Sequence, residues 1–91
     1  MSLVYKEIIV KGQVQGVYFR ASARDIARQL GIKGQVKNLP DGSVHILAAG
    51  EIVVMEQFID WCRQGPAAAH VEELQLSPIA PQEFEGFDIV R

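Results

Sequence analysis

Ninety-one residues, 48% of them apolar, with nine Lys and Arg against eleven Asp and Glu, describe a single domain spanning residues 1–91. Apolar content this high at a formal charge of −2 excludes a disordered chain, and one cysteine, Cys62, excludes a disulfide scaffold. No apolar run reaches the ~20 residues that span a bilayer. The stretch Met1-Ser2-Leu3-Val4-Tyr5-Lys6-Glu7 lacks the charged and then apolar regions of a secretory signal. The expected compartment is therefore the cytoplasm, with no membrane partner.

The small net charge conceals an asymmetry. Residues 1–50 hold seven basic and three acidic side chains, whereas residues 51–91 hold two basic and eight acidic ones. A basic first half in an acidic chain points to a local anion site, not to a surface that binds nucleic acid. Chance segregation of solvated charges is the plainer reading of the same numbers.

Tyr5 to Val14 reads as a strand, with Ile8 and Val10 on one face. Gly12 and Gly16 break that pattern. From Arg20 to Leu30 the period becomes helical: Ala23, Ile26, Ala27 and Leu30 share a face, and Gly31 takes the left-handed C-cap position. Lys33 to Leu39 and Ser43 to Ala49 form a hairpin across Pro40-Asp41-Gly42, a tight-turn signal. Glu51 to Gln64 is a second helix with an apolar stripe of Ile52, Met55, Phe58, Ile59 and Cys62, stopped by Gly65-Pro66. Glu51 lies at its positive end. A small-residue loop through His70 leads to a strand from Val71 to Ser77, with Leu74 and Leu76 facing inward. Phe87 to Val90 is a last short strand. The order β-α-β-β-α-β with a short terminal edge strand predicts an α+β, ferredoxin-like sandwich: a mostly antiparallel sheet with two helices on one face. Such a fold alone assigns no function.

The loop Gly12-Gln13-Val14-Gln15-Gly16-Val17-Tyr18-Phe19-Arg20 joins the first strand to the first helix. A glycine-containing turn into a helix N-terminus presents successive backbone N–H groups to an anion, and Arg20 adds a planar fork for two oxygens. The loop is neither a Walker A sequence, which needs Gly-Lys-Ser/Thr, nor a dinucleotide fingerprint, because its glycines are four apart. Read from these residues alone, it is either an anion cradle or an ordinary turn beside an exposed Arg.

The same loop, followed by Gly31-Ile32-Lys33-Gly34-Gln35-Val36-Lys37-Asn38 and Asp41-Gly42-Ser43-Val44, strongly resembles the two signature blocks of the acylphosphatases. Both blocks occur in order, and the resemblance extends over essentially the whole chain. It implies the ferredoxin-like fold and hydrolysis of carboxyl-phosphate anhydrides without a metal or other cofactor. It matches Arg20 to the family's catalytic arginine and Asn38 to its catalytic asparagine. It matches Gln15, Gly16, Val17, Tyr18 and Phe19, together with Arg20, to the loop that holds the phosphate. The partners implied are a small acyl phosphate and the inorganic phosphate released from it. Two departures are visible: Gln35 stands where many members carry Trp, and His45 where an acidic residue is common. The first reads as a packing or surface difference, and the second is assigned no role.

Other chemistry-bearing residues are read as structural. His45 and His70 show no orienting partner in the sequence and read as surface residues. Two His and one Cys without ligand spacing make no metal set. Cys62 lies on an apolar helix face and reads as a packed thiol. Trp61 and Phe58 read as core or semi-core aromatics, and Glu72-Glu73 as one solvated and one rim carboxylate. A non-catalytic anion-binding module of the same fold is the main rival function; simple anion capture gives Asn38 nothing to do. A sheet-face nucleic-acid binder sets aromatic residues on adjacent strands among basic ones; here the strands carry few aromatics and the second half of the chain is acidic. A fragment of a larger carbamoyl-phosphate-handling protein is also disfavoured, because the chain starts with Met and ends at a complete last strand. Nothing in the sequence demands more than a monomer.

Overall fold

The computed structural model describes residues 2–91. Its elements are β1 (Leu3–Gln13), α1 (Phe19–Leu30), β2 (Lys33–Asn38), β3 (Val44–Glu51), α2 (Ile52–Gln64), β4 (His70–Pro78) and β5 (Phe87–Ile89). The five strands form one open sheet in the order β4-β1-β3-β2-β5. All neighbours are antiparallel except β2 and β5, which run parallel. The two helices pack on one face of this mixed sheet.

Alternation along the strands places the core. On β1, Ile8 and Val10 are fully buried, as are Val44, Ile46 and Ala48 on β3 and Val36 on β2. Facing them are Ala23 and Ala27 of α1 and Met55, Phe58 and Cys62 of α2. The small alanines let α1 approach the sheet closely, while α2 fills its side with large groups. Gly31 caps α1 at φ 74°, where a left-handed conformation suits glycine, and the cap N–H groups donate to the carbonyls of Ala27 and Arg28.

Strand β1 continues through Gly12 because the glycine forms a bulge against β4, where the pairing register shifts between Lys11 and Gly12. Its φ is 129°, and a Cβ there would lie 2.2 Å from the His70 carbonyl oxygen. Only a residue without a side chain fits. The bulge turns the chain toward the core, so that Val14 is buried immediately before the loop.

Three expectations need correction. Leu76 is 41% exposed: β4 is an edge strand, and there only Val71 and Leu74 pack against the core. Ile52 is 47% exposed because it opens α2 at the rim of the sandwich. Glu51 is the last residue of β3 and the N-cap position of α2, not a helical residue. Its carboxylate accepts from the Ser2 backbone N–H at 3.0 Å rather than from its own helix.

Candidate active site

Residues 14–18 cross from the end of β1 to the start of α1. Gly16 (φ 74°) and Tyr18 (φ 64°) both adopt left-handed conformations. Such local reversals turn backbone N–H groups toward a common concavity. Tyr18 is also the N-cap residue of α1, with no side-chain capping bond, and no acidic residue lies in the helix's first turn. Among the described residues, the N–H groups of Gln15 to Arg20 find no hydrogen-bond acceptor. The positive end of α1 is thus left open.

The Gln15 side chain turns away from this concavity. Its Nε2 donates to the carbonyls of Leu39 and Ser43, each at 2.8 Å. Those carbonyls flank the β2–β3 turn, which is closed by Leu39 N–H to the Ser43 carbonyl at 2.9 Å. Asp41 fixes the same turn by accepting from the Ser43 hydroxyl at 2.6 Å and from its N–H at 2.9 Å. The hydroxyl contact, reinforced by the N–H, holds the Asp41 carboxyl below its ordinary pKa.

A cleft of about 710 Å³ opens above the loop, lined by Val14, Gly16, Tyr18, Phe19, Arg20, Ala21, Asn38, Ile89 and Arg91. Arg20 and Asn38 therefore line one cleft although they belong to α1 and β2. Arg20 forms no ion pair among the described residues. The Oδ1 of Asn38 is buried without a hydrogen-bond partner. A buried acceptor left in that state costs about 1–3 kcal/mol and marks a place for an incoming donor.

Of the loop residues expected at the site, Gly16, Tyr18, Phe19 and Arg20 line the cleft, and Gln15 and Val17 do not. Val17 packs against the core. Phe19 is fully buried, so its side chain anchors the helix start from below. Tyr18 is 81% exposed at the cleft mouth. Arg91, Ile89, Val14 and Ala21 also line the cleft and were not expected. No local motif could reveal Arg91 and Ile89: they arrive because β5 lies parallel beside β2 and the Val90 N–H donates to the Val36 carbonyl at 2.9 Å. Arg28 secures that strand through the Phe87 carbonyl at 3.1 Å and the Asp88 carboxylate at 3.3 Å.

His45 is neither partnerless nor a surface residue. Its side chain is 14% exposed, and Nε2 lies 2.9 Å from the Glu7 carboxylate. It occupies the sheet face opposite Val44 and Ile46 and is not part of the cleft. His70 is exposed at the start of β4. Cys62 is buried, and desolvation pushes its thiol pKa far up. Among the described residues, no group of three His, Cys, Asp or Glu side chains is arranged to hold a metal ion.

The sequence profile of the acylphosphatases matches residues 6–89. An acylphosphatase of Gloeobacter violaceus is 44% identical over 88 residues, covering 97% of this chain and 95% of its own. One from Aeropyrum pernix is 50% identical over 91 residues, covering 97% and 89%. The crystal structure of the Bacillus subtilis acylphosphatase superimposes with a TM-score of 0.93 at 33% identity, covering 99% of this chain and 100% of that one. Profile, relatives and superposition span the same elements that build the cleft, and the chain belongs to the acylphosphatase family.

Proposed function

We propose that this chain hydrolyses acyl phosphates to a carboxylate and inorganic phosphate in the cleft between the β1–α1 loop and the end of β2. The observation that carries the reading is the buried, unpartnered Oδ1 of Asn38 in the same cleft as the unpaired Arg20. Arg20 and the loop N–H groups compensate the phosphoryl oxygens. Asn38 orients the attacking water through its acceptor and donors, but is too weak a base to deprotonate it.

Water attacks phosphorus in line, the phosphorus–acyl oxygen bond breaks, and the carboxylate leaves with the electron pair. The attacking oxygen keeps one proton, and the other passes to a phosphate oxygen. A carboxylate is a good leaving group, so no general acid is needed and the task is positioning and charge compensation. We assign the reaction no metal. We also infer a cytoplasmic monomer without membrane or nucleic-acid partners. Among the described residues no helix is long and apolar enough to cross a membrane, and the second half of the chain is acidic.

The test is hydrolysis of benzoyl phosphate by wild type, Arg20→Gln and Asn38→Ala, with and without EDTA. Arg20→Gln raises KM and lowers kcat. Asn38→Ala lowers kcat about 10²–10³-fold with KM little changed, the usual loss of a preorganised hydrogen-bonding group. EDTA leaves kcat/KM unchanged. Wild type that binds phosphate but turns over no acyl phosphate would establish the non-catalytic anion module instead, and full kcat in Asn38→Ala would remove the water-orienting role.

A further inference from the structure

We propose that the Gln15 side chain is a positioning residue that keeps Asn38 in register with the phosphate loop. The inference rests on the water-orienting reading of Asn38. The two halves of the cleft come from separate parts of the fold: the loop and Arg20 follow β1, whereas Asn38 ends β2. Strands β1 and β2 are not neighbours, because β3 lies between them. Their hydrogen-bond ladders therefore do not fix the loop directly against the end of β2. Gln15 makes that link. Both N–H groups of its Nε2 are used, one on each carbonyl of Leu39 and Ser43, at 2.8 Å.

Leu39 directly follows Asn38, and the Ser43 carbonyl accepts the Leu39 N–H as well. The staple thus grips the chain one residue beyond the catalytic amide and on both limbs of the turn. A carboxylate at position 15 would meet the two carbonyls with acceptors only, and an apolar side chain would leave them without this donor. Gln15 does not line the cleft, so its side chain touches no substrate and acts by holding the loop and Asn38 against one another.

The experiment is a double-mutant cycle on benzoyl phosphate hydrolysis, using wild type, Gln15→Met, Asn38→Ala and the double variant. The inhibition constant of inorganic phosphate is measured for each. Gln15→Met lowers kcat roughly 10–100-fold, the scale of a small displacement in a preorganised site, and shifts phosphate inhibition less than about twofold. In the Asn38→Ala background the same substitution causes no further loss of kcat. Gln15→Glu keeps the side-chain length, loses the donors and reproduces the effect, so a folding failure of the Met variant does not decide the matter. Equal fractional losses in both backgrounds, unchanged kcat, or a loss confined to phosphate inhibition would overturn the role of Gln15 alone. An Asn38→Ala enzyme with full kcat would overturn the reading of Asn38 and this inference with it.

Discussion

The ring of Phe19 lies 5.3 Å from the indole of Trp61, inclined at 52°. Trp61 stacks on Phe58 at 6.4 Å, and Phe58 meets Phe87 edge-on at 5.8 Å. A row of four aromatic rings thus runs from the helix start that carries Arg20, across α2, to β5. The residue next to the proposed phosphate-binding arginine is a core anchor. Phe19→Leu should cost about 1–2 kcal/mol of stability, on the scale of partial core truncations. Each kcal/mol lowers Tm by about 4–8 °C in a domain this small. The same variant should weaken inhibition by phosphate, because the start of α1 loosens with it. Thermal melts and phosphate inhibition measured together check this; a lower Tm with unchanged inhibition would show that Arg20 is held independently of the ring.

Tyr18 has a left-handed backbone and an exposed side chain. Side chains other than Asn, Asp and Gly pay for that conformation. Tyr18→Asn should therefore raise stability by about 0.5–1 kcal/mol, seen as a rise in Tm. A fall in Tm would mean that the tyrosine ring makes a compensating contact.

The β2–β3 turn should respond to acid. The Ser43 hydroxyl and N–H favour the ionised form of Asp41 and depress its pKa on folding. A depressed carboxyl contributes stability above its unfolded pKa of about 3.9 and loses it as pH falls through the lower folded value. Asp41→Asn should remove that part of the acid sensitivity of Tm and leave a flatter Tm profile below about pH 4. An unchanged slope would contradict the assignment.

Cys62 should be inert. Burial opposes formation of the thiolate. Native protein should react with a thiol reagent at pH 8 only as fast as it unfolds, and Cys62→Ala should retain the wild-type kcat. A large loss of kcat in a folded Cys62→Ala variant would place the thiol in the chemistry.

Much of the architecture was legible in side-chain periodicity. The faces of α1 and α2, the Gly31 cap and the Pro40-Asp41-Gly42 turn follow from local stereochemistry. Arg20 and Asn38 were found through two linked motifs, and the fold brings them to one cleft. What escaped depends on which strands are neighbours. The Glu7–His45 contact needs the β1–β3 register, in which Ile9 faces His45 and Glu7 faces Leu47. The exposure of Leu76 follows from the edge position of β4, which alternation cannot reveal. Arg91 reaches the cleft only through the parallel pairing of β5 with β2. The side-chain amide of Gln15 was hidden for a similar reason: its acceptors lie 24 and 28 residues away.

The insertion of β3 between β1 and β2 makes catalysis a gauge of strand register. An antiparallel slip of two residues preserves the inward face of every strand, and so much of the core's apolar pattern. It would nonetheless carry Asn38 about 7 Å along the sheet from Arg20, at roughly 3.4 Å per residue. A hairpin of β2 and β3 formed on its own would likewise hold the amide without the arginine. During refolding, compaction and helix content can therefore recover in molecules that hydrolyse nothing, and acyl phosphate turnover should return only with the fraction whose β1 has paired in register with β3.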